Sequence, residues 1–544
     1  MDLTHPRPQP AGPLQPFAPA ELDHLGLSET EVNRWLWRLA GLGIALRGLL
    51  YLLRCPIWTD EAKMATSLLD RSYAGLLEPL AYSQIAPVLF MWIQETATVL
   101  FGFTEFSLRL FPLCAGIGSV LLMRHLASRV LGGAPAILAM ALFAVSYYPV
   151  RHSAELKPYA TDLLASIVLT VAAVEWLRQP GRPRGLWLFA VLAPLMIALS
   201  YPAIFTAAGI LAALAIPVWQ QRSWAVRWAW ASSALAAVLA FGGIFFFVTA
   251  KHFATRSVAK MPWEWGFPPL DDPLGALEWV IRAHTGRTFG YPIGGENGGS
   301  LLTFVAFALG LVVLYRHGKY RRLGLLLMPF AMGFIAAVLQ KYPYGGSGRV
   351  SQYLAPAICL LAGLGAAHLS SLAKRAAKRQ RVQRGVLRFL VVFGLLIGTA
   401  AVLRPYRDPP DRTGRDFARW FWDVRSRDAE LVSAWEDLQL EFARPPARWA
   451  PGGAAFRINQ KIYYPRRRRG EAADLSRVSR QRPLRVVFQG TAVEGQREAL
   501  EAWLLDMQTR YELLSQERLR LGAFKEQHGR EDWIEVLTFV PFGS

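Results

Sequence analysis

Ile85-Ala-Pro-Val-Leu-Phe-Met-Trp-Ile-Gln-Glu-Thr-Ala-Thr-Val-Leu-Phe101 decides how this chain is threaded. The stretch is apolar but carries Gln94 and Glu95 in its middle, and its crossing or not crossing a membrane sets the side of every later loop. Around it, apolar runs of spanning length are centred on 37–53, 106–126, 134–150, 159–177, 185–200, 202–219, 227–249, 301–315, 322–340, 350–372 and 386–403. If 85–101 lies along the surface, the basic connections share one side. These are Arg34/Arg38, Arg124/Arg129, Arg178/Arg182/Arg184, Arg222/Arg227, Arg316/Lys319/Arg321/Arg322 and the run from Lys374 to Arg388. If it crosses, every later one of these loops flips. Positively charged loops stay in the cytoplasm, so 85–101 is read as an external juxtamembrane helix.

The composition agrees with that class. Of 544 residues, 53% are hydrophobic and 19 are tryptophan, which excludes an ordinary soluble domain. The net charge of +20 raises nucleic acid as a partner, but the basic residues stand at the ends of apolar runs. That distribution is membrane topology, and no nucleic acid is expected. Cys55, Cys114 and Cys359 show neither disulfide nor metal-ligand spacing. Residues 1–33 read as a disordered cytoplasmic tail rich in proline, and 34–404 as the transmembrane domain of about 11 helices with external juxtamembrane helices. Residues 405–544 read as a small α/β domain outside the membrane, giving an all-α polytopic protein with an α/β appendage. Its strands are expected at 429–435, 484–488 and 533–539, with a helix from about Gly495 to Arg520. The Arg466–Arg469 run is either a solvated loop or a contact for anionic groups.

Three polar motifs fall on the external side in this threading. Trp58-Thr-Asp-Glu-Ala-Lys63 follows the first span, and its adjacent carboxylates Asp60 and Glu61 either cap a helix or serve a site. Arg151-His-Ser-Ala-Glu-Leu-Lys-Pro-Tyr-Ala-Thr-Asp162 ends one run and opens the next. Pro158 suits a first helical turn, so Glu155, Lys157 and Asp162 gather where a phosphate or sugar would lie. Lys341-Tyr-Pro-Tyr-Gly-Gly-Ser-Gly-Arg-Val350 joins a glycine-rich turn to Arg349, a forked donor matched to phosphate. Carboxylates so placed can take a proton from an attacking hydroxyl, and cations can stabilise a departing phosphate. Asp60 and Glu61 offer the first; Lys157, Arg349 and Arg109 the second. Snorkelling explains Lys157 and helix anchoring explains Arg109 equally simply. No metal is expected, although His152 with Asp60 and Glu155 has the donor types for a divalent cation.

The order of these motifs carries a resemblance. After Asp60-Glu61 come Tyr82-Ser-Gln-Ile-Ala-Pro-Val-Leu-Phe90, Phe101-Gly-Phe-Thr-Glu-Phe-Ser-Leu-Arg-Leu110, Glu155-Leu-Lys-Pro-Tyr159, Tyr342-Pro-Tyr-Gly-Gly346 and Arg349. Over roughly 35–405 the chain resembles the GT-C membrane glycosyltransferases, similar to protein O-mannosyltransferases, aminoarabinose transferase and Rgt-type galacturonosyltransferases. The resemblance implies a polyprenyl-phosphate-linked sugar as donor, an envelope acceptor, and Asp60 as base or acceptor-positioning group. With it come Glu155 as a further catalytic candidate and Tyr82, Gln84, Arg109, Lys157, Tyr159, Asp162 and Arg349 as donor-binding candidates. Two departures stand out: Gln84-Ile-Ala-Pro87 replaces a His-Pro-Pro common in relatives, and Lys157 replaces an arginine. The expected protein is a multi-pass, inverting transferase of a bacterial inner membrane, its N-terminus cytoplasmic and its C-terminal domain periplasmic. The alternative is a transporter or lipid flippase, for which mid-membrane charges and paired broken helices in two related halves would be the signature.

Overall fold

The computed structural model describes residues 12–81, 84–251, 264–293 and 298–406, then 412, 415, 430–433, 484–489, 505–509, 511–522 and 532–542. By contacts the chain divides into two units, one of residues 1–54 and 71–403, the other of residues 55–70 and 404–544.

The first unit is a helical bundle. It contains α1 (Glu29–Leu52), α3 (Val88–Phe101), α4 (Glu105–Val130), α5 (Gly133–Val145), α6 (Tyr147–Arg151) and α7 (Tyr159–Arg178). It continues through α8 (Arg184–Leu199), α9 (Ala203–Gln220), α10 (Trp224–Ile244), α11 (Pro273–Thr285), α12 (Gly298–Arg316), α13 (Tyr320–Val338), α14 (Ala355–Ser371) and α15 (Ala376–Leu403). Every apolar run read from the sequence is helical. Among the described residues, seven helices are long and apolar enough to span a bilayer, eight if α5 and the turn after it count as one bent span. The expected eleven exceeds that number for physical reasons: Arg38 and Arg47 dilute the hydropathy of α1, and α8 and Ser300–Arg316 are short. Outward-facing apolar side chains on α15 and on the π-helical continuation of α10 (Phe245–Thr249), among them Phe246, Phe247, Leu395 and Leu396, are what lipid contact requires and water would penalise. The 14 residues of α3 extend about 21 Å, short of the ~30 Å hydrocarbon core.

α5 is the axis of the bundle. Every residue from Ala134 to Val145 is buried, against α1, α4, α14 and α15. Lipid is as apolar as leucine, so such contacts rest on close packing of small residues. Gly363 of α14 lies on the Ala139 backbone, where a Cβ would come within 2.5 Å of the Ala139 nitrogen. The helix breaks at Ser146, and the next segment departs by 52°. The Tyr147 N–H leaves the helical ladder to donate to the Pro292 carbonyl at 2.8 Å. Arg47, wholly buried in α1, donates through Nη1 to the Gly43 and Ala144 carbonyls at 2.8 and 3.3 Å, so it caps an orphaned carbonyl at the break.

The stretch read as part of a disordered tail is ordered from residue 12. Leu14, Phe17, Leu22 and Leu25 are buried, and a Ser28/Glu31 capping box starts α1. Phe17 bridges to Leu131, and the Leu14 N–H donates to the Leu177 carbonyl. Glu21 pairs with His317, and Gln383 donates to the Leu22 carbonyl. This strap holds the arginine-rich turns together at one end of the bundle.

In the second unit, α2 (Thr59–Asp70) accompanies a four-stranded sheet in the order β1-β2-β4-β3. Its strands are β1 (Glu430–Ser433), β2 (Leu484–Gln489), β3 (Tyr511–Gly522) and β4 (Asp532–Pro541). β1 and β2 are parallel, while β4 runs antiparallel to both β2 and β3. The helix expected to reach Arg520 gives way to β3, paired from Tyr511↔Pro541 to Gly522↔Asp532. Tyr511, Leu513, Leu519 and Leu521 recur at odd positions, a strand period that the helical reading passed over. Arg466–Arg469, with the whole of 434–483, lie outside the described residues.

Candidate functional site

At the end of the bundle opposite the strap, the bend after α5 delivers the second sequence motif. α6 carries Arg151, a 3-10 turn follows at His152–Ala154, and α7 restarts at Tyr159 just after Pro158. The Glu155 carboxylate is held at both oxygens: Arg151 Nε donates to Oε1 at 2.8 Å, and His152 Nδ1 meets Oε2 at 2.7 Å. Glu155 and His152 are both buried. A carboxylate on Nδ1 leaves Nε2 as the open position of the ring, and the buried His152 Nε2 has no hydrogen-bond partner among the described residues. Tyr148 stacks on the His152 ring with centroids 5.8 Å apart, and Tyr159 tilts against its other flank at 4.8 Å.

Lys157 is buried and donates from Nζ to Gln84 Oε1 at 2.7 Å. The two positions expected from the resemblance to be departures, Gln84 and Lys157, are thus bonded to each other. A neutral amide fixes the direction of the ammonium. Asp162, one turn into α7, is buried beside Ser200, with Oδ1 lacking a hydrogen-bond partner among the described residues. Arg109 is buried on α4, two turns before Gly116 and so on the same face; Gly116 lies against Ser153.

The third motif folds onto the second. Gly348 lies on the Tyr148 ring, where any side chain would collide with it, and Arg349 is near enough for its charge to act on His152. The turn is clamped by the 3-10 turns on either side of α11, Glu264–Gly266 and Arg287–Phe289: the Tyr344 N–H donates to the Gly266 carbonyl and Thr288 Oγ1 to the Gly345 carbonyl. His284 Nδ1 bonds the Val280 carbonyl at 2.7 Å, so Nε2 accepts from the Tyr344 hydroxyl at 3.0 Å. Burial lowers the His284 pKa and raises that of the Tyr344 hydroxyl, which matches this donor and acceptor assignment.

The structure therefore gathers Gln84, Glu155, Lys157, Tyr159, Asp162 and Arg349 at one end of the first unit. Asp60 and Glu61 belong to the second unit: Asp60 is half-buried in the first turn of α2, and the buried Glu61 accepts the Trp58 N–H at 3.3 Å, as a helix cap does. Tyr82 lies outside the described residues. Among the described residues no group of three metal-ligating side chains meets. Sequence reading passed over Arg47, and it joined His152 to Glu155 only as donor types for a cation, not as a hydrogen-bonded pair. The signal for Arg47 was a lone charge inside an apolar run; for His152 it was a spacing of three from Glu155 across a helical turn.

Residues 86–245 match the Dolichyl-phosphate-mannose-protein mannosyltransferase family. The fold is similar to ArnT from Cupriavidus metallidurans bound to undecaprenyl phosphate, with a TM-score of 0.50 and 11% identity over 92% of this chain and 98% of that one. The apo state of the same protein gives a TM-score of 0.50 and 12% identity over 92% and 97%. The Archaeoglobus fulgidus oligosaccharyltransferase in its apo form gives a TM-score of 0.46 and 13% identity over 79% and 65%. The chain has no sequence match among curated proteins. The fold is that of the GT-C membrane glycosyltransferases, and together with the family match it supports a multi-pass membrane glycosyltransferase.

Proposed function

We propose that the protein transfers a sugar from a polyprenyl-phosphate-linked donor to an envelope acceptor at the external face of a bacterial inner membrane. The observation that carries this reading is the meeting of Lys157–Gln84, Arg151–His152–Glu155 and the Arg349 turn at one end of a GT-C-like bundle. A departing polyprenyl phosphate gains negative charge in the transition state, and Lys157 and Arg349 are the cations that stabilise it there. Glu155 holds Arg151 and His152 in place, while the buried Asp162 Oδ1, without a partner among the described residues, suits a sugar hydroxyl. From its place in the sequence alone, as the first carboxylate after α1, Asp60 is assigned the acceptor's proton, with inversion at the anomeric carbon. The positive-inside rule gives a cytoplasmic N-terminus, and the motif-bearing end faces the periplasm.

The test is transfer from radiolabelled polyprenyl-phosphate sugars to envelope extracts by the purified protein, comparing wild type with Lys157→Ala and Asp60→Ala. Each substitution is expected to lower transfer on the order of 100-fold or more, as lost transition-state contacts do. Variants that equal wild type would overturn the assignment of these residues.

A further inference from the structure

The strongest feature outside that site lies at the arginine-rich end of the bundle. α9 ends at Gln220 and α10 begins at Trp224, and between them opens a groove of about 540 Å³ lined by Ala215, Ile216, Trp219, Gln220, Arg222 and Arg227. One wall is apolar and continuous with the outward surface: Ile216 and Trp219 are exposed, as is Trp224 at the start of α10. The other wall is cationic. The Arg227 guanidinium lies 4.6 Å from the Trp219 ring and 5.4 Å from that of Trp224, with Nη2 donating to the Trp219 carbonyl. Its buried Nε has no partner among the described residues, and neither does Gln221 Nε2 in the adjoining turn. Arg222 is exposed, and neither arginine joins an ion pair among the described residues. From residue 176 to 263 the sequence contains no Asp or Glu, so nearby sequence supplies no neutralising charge.

A desolvated donor with no acceptor is costly in a native protein unless a ligand or water completes it. Here the open donors sit beside Arg222 and an apolar wall, at the turn that joins two helices of membrane-spanning length. A soluble anion would use the arginines and leave the wall in contact with nothing it favours. We propose that this groove is a binding site for an anionic phospholipid: the phosphate lies against Arg222, Arg227 and Gln221, and an acyl chain runs along Ile216 and Trp219. Basic pockets of this kind between helices recognise acidic headgroups, and each arginine near the headgroup strengthens binding. The site is independent of the proposed transfer reaction.

Native mass spectrometry of the full chain, loaded in neutral detergent with equal phosphatidylglycerol and phosphatidylethanolamine, tests it. Wild type is expected to retain phosphatidylglycerol in roughly 10- to 30-fold preference, the scale set by two arginines. The double variant Arg222→Gln/Arg227→Gln is expected to lose that preference. Arg34→Gln/Arg38→Gln, at the same end but outside the groove, should keep it. Equal retention of the two lipids by wild type overturns the proposal, as does an unchanged preference in the double variant. Displacement of phosphatidylglycerol by inorganic phosphate alone would reduce the groove to a soluble-anion site and overturn it too. If the double variant does not fold, Arg222→Gln alone, an exposed position, must lower the preference for the proposal to stand.

Discussion

Glu155 gives both carboxylate oxygens to basic side chains, and its role follows from that. A carboxylate held by Arg151 and His152 is an organiser of cations. Removing one partner of a buried pair leaves the other charge uncompensated, so Glu155→Ala is expected to cost about 3 kcal/mol, read as a lower unfolding midpoint in detergent. His284 responds to pH. Burial depresses its pKa, so the folded state keeps it neutral while the unfolded chain protonates near the ordinary value of about 6.5. Its contribution is fully present above that value and is lost as pH falls below it. Melting curves between pH 7.5 and 5 should show wild type losing stability toward acid, with a shallower slope in His284→Gln. Lys157 and Glu155 were legible because charges at a helix boundary are conspicuous. His152 looked like a boundary residue, since sequence spacing does not reveal which nitrogen is left open in three dimensions.

At the scale of elements, the bend after α5 and the glycine turn at 345–348 do the positioning. Ser146 and Pro149 mark the bend in sequence, but the acceptor that draws the Tyr147 N–H out of the ladder is Pro292, far along the chain and invisible to local reading. Gly348 is required because its Cα rests on the Tyr148 ring. Gly348→Ala should push the turn off α6, lowering stability by about 1–3 kcal/mol, as overpacking does. The same variant should lose activity out of proportion to the folded fraction measured by gel filtration. α3 was readable from Gln94 and Glu95, both buried within it. β3 was misread because Glu, Gln, Arg and Leu favour helices in isolation, and pairing with β4 overrode that preference.

For the molecule as a whole, charge placement in the sequence foretold which turns share an end. The structure brings those turns together by contact, with the strap from Leu14 to Leu25 touching the ends of α4, α7, α12 and α15. The strap itself was not legible, because proline-rich composition reads as disorder when the surface that receives it is assembled from distant turns. Phe17→Ala removes a buried ring from that assembly and is expected to cost about 3 kcal/mol in thermal unfolding, with little effect on any transfer step at the other end. The grouping of residues 55–70 with a segment hundreds of positions later likewise lay beyond the sequence.

A transferase breaks the bond between sugar and phosphate, whereas a flippase moves the intact lipid. Proteoliposomes holding the purified protein, a polyprenyl-phosphate sugar labelled separately in sugar and phosphate, and envelope acceptor distinguish the two in one experiment. The expected result is sugar label on the acceptor and phosphate label remaining on the polyprenyl lipid, whereas in Lys157→Ala both labels stay together on the donor. Intact donor carrying both labels, merely relocated across the bilayer, would contradict the proposed function.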